Sequence, residues 1–230
     1  MPPPPPLPAA VQSGAAIGAF FDVDNTLVPG VAIEVRFFAY LLKHRVIGGR
    51  EILESVRLLA RSRHLLSLHP LREQKPYLVG KRPEVIEPMA KWFIRSRVCP
   101  RLSPDGLAAM DRHRRAGHHL VLVTGSPDFL IAPLADFLGV NDVLAARPQC
   151  KDGFFTGHLI TPLPYGDGKR RLLEGFAGEH NLDLTQSYAY GDSPGDIEAL
   201  RLVGHPLVVN PIRGMARIAR RRGWPVTRWN

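Results

Sequence analysis

The chain has 230 residues, 45% hydrophobic and 22% charged, with 30 Lys and Arg against 21 Asp and Glu, a formal charge of +9 and a pI near 10.1. This is a globular composition with enough chain for a substantial core, and no apolar run approaches the ~20 residues needed to span a bilayer. The basic balance suits nucleic acid or an anionic small ligand. No zinc-finger spacing, RNP-like aromatic pattern or heptad is present, so an anionic metabolite is the expected partner and nucleic acid is not.

At the N-terminus, MPPPPPLPAA lacks a basic start and a long apolar stretch, so it does not read as a signal peptide. It reads as a polyproline II tail over residues 1–13. The apolar run AIGAFFDV then reads as a buried strand, and FFDVDNTLVPG carries Asp22 and Asp24 at its end. Alternate strand residues share a face, so the two acids can point the same way. Roughly 90 residues precede the next strand, HLVLVTG, and such a gap is not a plain loop. Three segments in it, VAIEVRFFAYLLKHR, REILESVRLLARSRHLLSL and PEVIEPMAKWFIRSRV, repeat apolar residues every three or four positions and predict helices. SPDGLAAMDRHRRAG predicts another helix leading back to the strand. The expected organisation is an α/β core over 14–30 and 98–230, with a helical insertion over 31–97.

Beyond Gly125 strands and helices alternate. PDFLIAPLADFLG is a helix, VLAA a strand, GFFTGHLIT a hairpin and GKRRLLEGFAGEHN a helix. SYAYG, DIEALRL, PLVVN and MARIARRRG continue as strand, helix, strand, helix. This order predicts a doubly wound, Rossmann-like parallel sheet, whose ligands bind beyond the carboxyl ends of the strands.

Those strand ends carry the polar groups: Asp22, Asp24 and Thr26; Thr124, Gly125 and Ser126; Asp192, Ser193 and Asp196. Ser126-Pro127 and Ser193-Pro194 each look like a capping residue before a proline in the first helical turn, where free N–H groups favour an anion. Lys169, Arg170 and Arg171 open a helix, where cations oppose the dipole, so one of them is expected to serve a site. The GDGK context makes Lys169 the choice. Converging carboxylates repel one another unless a cation joins them, and Mg²⁺ prefers oxygen ligands with a substrate phosphate. Acids around a metal, with a lysine and N–H groups around a dianion, make a phosphoryl-transfer site. An EF-hand from Asp22 fails because Leu27 and Ile33 stand where Gly and Glu are needed. A P-loop ending at Lys169 fails because residue 163 is Leu.

The ordered motifs DVDNT, VLVTGS, GK at 168–169 and GDSPGD together resemble the haloacid dehalogenase superfamily of phosphatases. The helical insertion and the ending VVNPIRGMARIARRRGWPV are similar to its phosphoserine-phosphatase-like branch. The resemblance implies Asp22 as nucleophile through an aspartyl phosphate, and Asp24 as general acid and then base. It implies Mg²⁺ held by Asp22, the Asp24 backbone carbonyl and Asp192, with Asp196 supporting the metal shell. Thr124, the Gly125 N–H and Lys169 would hold phosphate oxygens, and Thr26 would shape the first loop.

Phosphoserine phosphatases carry an acid nine positions after the nucleophile; here that position is Val31, which counts against phosphoserine itself. Glu34 is expected to face elsewhere on its helix. Arg57, Arg61, Arg63, Lys81 and Arg82 are candidate readers of an anionic substrate. Cys99 and Cys150 form no disulfide framework, so a reducing, cytoplasmic setting is expected.

Overall fold

The computed structural model describes residues 14–61, 73–160 and 162–229. The proline-rich tail, Arg63 and the expected continuation of a helix to Leu68 lie outside these residues.

Six strands form one parallel sheet in the order β3-β2-β1-β6-β7-β8. They are β1 (Gly18–Asp22), β2 (His119–Pro127), β3 (Asp142–Ala146), β6 (Tyr188–Gly191), β7 (His205–Val209) and β8 (Val226–Thr227). The chain runs outward from β1 through β2 and β3, then returns to the other side of β1 through β6, β7 and β8. The strand order therefore reverses beside β1, the position where open α/β sheets leave a crevice. The sequence reading omits the short edge strand β8.

The side-chain period of two assigns the layers. Phe21 joins a core cluster on one face of the sheet, while its neighbour Phe20 joins a second on the other. The second cluster packs α6 (Asp167–Glu179), α7 (Ile197–Leu202) and α8 (Met215–Arg222) against the sheet through Leu173, Phe176, Leu200 and Met215. The first is larger. It runs from Phe21 through Phe37 and Leu41 of α1 (Ile33–Lys43) to Ile86 and Phe93 of α3 (Pro83–Phe93). It then reaches Leu130 and Leu134 of α5 (Asp128–Leu138). The inserted helices thus share a continuous apolar core with the sheet. The insertion also contains α2 (Gly49–Arg61), and α4 (Pro104–Arg115) returns the chain to β2. Pro104 occupies the first turn of α4, where Ser103 Oγ accepts the Gly106 N–H at 3.1 Å.

The predicted hairpin forms as β4 (Pro148–Lys151) against β5 (Phe154–Leu159). Its outer edge is engaged by the insertion: Lys75 N–H donates to Gly157 O at 2.7 Å and Gly80 N–H to Phe155 O at 2.9 Å. Phe155 N–H donates in return to Lys81 O at 2.9 Å. No helix among the described residues is long and apolar enough to cross a membrane. Cys99 is buried and Cys150 exposed, and both are free thiols.

Candidate active site

The carboxyl ends of β1, β2 and β6 open into a cleft of about 630 Å³ beneath the inserted helices. Asp22, the last residue of β1, is buried beside Asp192 and Asp196, with one carboxylate oxygen of each within 4.8 Å of the others. Lys169, in the first turn of α6, reaches them from below with only 3% of its surface exposed. Its Nζ donates to Asp22 Oδ1 at 2.6 Å, Asp196 Oδ1 at 2.5 Å and Val123 O at 3.2 Å. Arg170 and Arg171 instead pair with Asp167 on the exposed face of α6, and Arg170 also pairs with Glu174. The helix start therefore spends its opposed dipole on one buried cation and neutralises the other two locally.

The acids are held differently. Asp196 Oδ2 accepts from the backbone N–H of Asp192 and of Ser193, at 3.2 and 3.0 Å, and from Ser193 Oγ at 2.9 Å. With Lys169 on its other oxygen, Asp196 is occupied as a scaffold. The turn closes tightly, because a Cβ on Gly191 would lie 2.5 Å from Asp196 Cβ and one on Gly195 would lie 2.3 Å from the Tyr165 ring. Asp192 Oδ2 accepts from Asn25 Nδ2 at 2.8 Å. Asn25, at φ 57°, and Asn210, at φ 45°, exchange side-chain-to-carbonyl bonds of 3.0 and 2.9 Å, stapling the loop after β1 to the loop after β7. Thr26 is fully buried and donates to Asp22 Oδ2 at 3.2 Å.

Asp24 stands apart from the acid cluster. Its Oδ1 accepts the Ile33 N–H at 2.7 Å, at the start of α1, and its Oδ2 accepts from Ser126 Oγ at 3.2 Å. Burial raises its pKa, the Ile33 N–H opposes that, and the Glu34 charge raises it further. Burial and the Asp196 charge push Asp22 well above the usual carboxylate range, against the pull of Lys169. The same two causes take Asp192 to about 6. Burial alone would lower the Lys169 pKa, but Asp196 and Asp22 outweigh it and keep the ammonium charged.

Three carboxylates facing one lysine leave excess negative charge in a buried space, and the donors are all oxygens. That set fits a hard divalent cation such as Mg²⁺. Asp22 and Asp192 are the side chains available to it, since Asp196 is committed to its own turn.

Several sequence expectations need correction. Ser126 does not cap α5: β2 continues to Pro127, which is the N-cap residue, and the freed Ser126 hydroxyl turns to Asp24. Gly125 and Ser126 line the cleft, whereas Thr124 lies behind them with Oγ1 accepting the Ser126 N–H at 3.1 Å. Val31 lines the cleft and is 60% exposed. Of the named bases, Arg57, Lys81 and Arg82 do not line it. Arg57 pairs with Glu54, Lys81 pairs with Glu51, and the Arg82 guanidinium lies 4.9 Å over the Phe154 ring. Glu34 does not face elsewhere: it lines the cleft with Tyr77 and is bonded to Lys75 and Tyr77.

The profile of haloacid dehalogenase-like hydrolases matches residues 19–201. A probable phosphatase of Mycobacterium tuberculosis is 29% identical over 227 residues, covering 97% of this chain and 79% of that protein. A Bordetella pertussis protein of unknown function superposes with a TM-score of 0.80 at 26% identity, covering 92% of this chain and 98% of its own. A phosphoserine phosphatase in a phospho-aspartyl intermediate analogue form has the same fold, with a TM-score of 0.61 at 20% identity over 92% of each chain. The profile match takes in the carboxyl ends of β1, β2 and β6, and the chain belongs to the haloacid dehalogenase-like hydrolase family.

Proposed function

We propose that the protein is a Mg²⁺-dependent phosphatase that hydrolyses a small-metabolite phosphomonoester through an aspartyl phosphate on Asp22. The observation that carries this reading is the convergence of Asp22, Asp192 and Asp196 on buried Lys169, with Asp24 held separately above them. The two roles need two environments, and the carboxyls have them.

Asp22 attacks phosphorus as the ester P–O bond breaks. Asp24, whose burial favours the protonated form, gives its proton to the leaving oxygen. As a carboxylate it then takes a proton from the water that attacks phosphorus, and the Asp22–P bond breaks to release phosphate. Lys169 and the Gly125 N–H hold phosphate oxygens, with Thr124 fixing the strand end behind them. Bound at Asp22, Asp192 and the Asp24 carbonyl, Mg²⁺ would neutralise the carboxylate and phosphate charge. The 31–97 segment acts as a cap that excludes bulk water. Free cysteines fit a reducing, cytoplasmic setting.

The test is phosphate release from p-nitrophenyl phosphate with Mg²⁺, with EDTA, and in Asp22→Asn. Metal-dependent turnover lost in the variant supports the reading. A metal-loaded protein inactive across a broad phosphomonoester panel would instead indicate a non-catalytic binding protein. Competing alcohols separate hydrolysis from transfer to another acceptor. Phosphoserine and histidinol phosphate belong on the panel as specific substrates.

A further inference from the structure

The chemistry above leaves one buried cluster in the cleft unused. Glu34, in the first turn of α1, has Oε2 2.6 Å from Lys75 Nζ and Oε1 2.9 Å from the Tyr77 hydroxyl. Lys75 is fully buried, and its backbone N–H is fixed to the β5 hairpin at Gly157. Burying an ammonium this completely requires a partner, so Lys75 pins the Glu34 carboxylate in place. Burial and the Glu34 charge both hold the Tyr77 hydroxyl well above its ordinary pKa, so it stays a donor. Glu34 keeps a fifth of its side chain exposed and lines the cleft, and its charge reaches Asp24. Among the described residues each of its oxygens accepts one hydrogen bond and has capacity for another.

The surroundings restrict what that second donor belongs to. Val31, Val35, Phe38 and Pro76 give this end of the cleft apolar walls. Among the described residues of the insertion, Arg57 and Lys81 are paired with acids of α2 and Arg82 lies over the Phe154 ring, so none of these three bases lines the cleft. Arg213 also lines the cleft, on the loop after β7, next in sequence to Ile212, whose N–H donates to Asp192 O at 2.9 Å.

We propose that Glu34, held by Lys75 and Tyr77, selects the leaving alcohol: a small alcohol with an apolar body that carries an N–H or O–H donor and no anionic group. This rests on the phosphomonoesterase reading. Asp24 lies on the same side, so an anion on the leaving group would meet two acids.

The experiment compares four esters that differ only at the far end: propyl, 3-hydroxypropyl, 3-aminopropyl and 2-carboxyethyl phosphate. A hydrogen bond to a charged acceptor sets the expected advantage of at least one donor-bearing ester over propyl phosphate at about tenfold in kcat/KM. The carboxylate ester should be poorer than propyl phosphate. In the double variant Glu34→Leu/Lys75→Met, which removes both charges without stranding either, propyl phosphate turnover should persist and the donor advantage should fall to within about twofold. Equal rates for propyl and both donor-bearing esters in the wild type would overturn the proposal. So would a donor advantage that survives in the variant, or a carboxylate ester as good as the donor-bearing ones. If the variant does not fold, the wild-type order still decides. Turnover of p-nitrophenyl phosphate but of none of the four would overturn this inference and leave the phosphatase reading standing; turnover of neither would remove both.

Discussion

Replacing Lys169 by alanine should separate a buried catalytic cation from its exposed neighbours more clearly than any other single change. The ammonium joins Asp22 and Asp196 at 2.6 and 2.5 Å with almost no solvent contact. Removing one member of a buried ion pair costs about 3–5 kcal/mol when the other stays charged. Asp22 already has a raised pKa, so part of that cost can be relieved by protonation, and a loss near 3 kcal/mol is expected at pH 8 without metal. The sign with pH follows from the carboxylates. With the lysine gone their pKa values rise further, so the penalty should shrink as pH falls towards 5 and the acids become neutral. Activity should drop by about 100- to 1000-fold, the usual consequence of losing a preorganised donor to developing charge. Arg170→Ala breaks only exposed, solvent-screened pairs with Asp167 and Glu174, and should leave stability nearly unchanged and turnover within about twofold. Urea melts at pH 8 and pH 5 with EDTA, plus p-nitrophenyl phosphate turnover with Mg²⁺, measure both effects. Equal losses in the two variants, or a Lys169→Ala penalty that grows as pH falls, would refute the reasoning.

His113 offers a separate pH test. It is buried between the His118 ring and the Tyr190 hydroxyl, and burial followed by the His118 charge lowers its pKa to about 3. A base whose folded pKa is depressed lends its full stability above the unfolded value near 6.5 and loses about 1.4 kcal/mol per pH unit below it. His113→Gln should therefore weaken the stability loss between pH 7.5 and 5.5 by about 1.4 kcal/mol in urea melts; an unchanged slope would contradict a neutral buried ring. Gly195→Ala drives a Cβ into the Tyr165 ring and should cost about 1–3 kcal/mol by thermal melting. Asn25→Ala removes the support of Asp192 and should raise the Mg²⁺ concentration for half-maximal activity about 10- to 100-fold, read by metal titration; an unchanged midpoint would show that the staple does not position the acid.

The parts of the site legible in the sequence are those encoded locally. Asp22 and Asp192 follow apolar strand runs, and Lys169 is conspicuous because a cation in a first helical turn works against the dipole. The missed contacts depend on chain return. Asn25 meets Asn210 across 185 residues, and Glu34 meets Lys75 across 41, so helical periodicity near Glu34 holds no information about what faces it. A serine before proline resembles a cap, as at Ser126, yet β2 runs through both residues. Arg57 and Lys81 stand out by charge alone, and nearby glutamates capture them.

The hydrogen bonds between the β4–β5 hairpin and residues 75–81 have a consequence for how such a cleft can diversify. They anchor Lys75, and through it Glu34, to an appendage of the core that touches none of the acids. The hairpin acts as a ruler, setting how far the Glu34 end stands from the strand ends. A longer or shorter ruler would retune which alcohols fit while the acids, Lys169 and the strand ends kept their places. Selectivity in this architecture can therefore drift by insertion or deletion at a surface turn, with no substitution among the reacting groups.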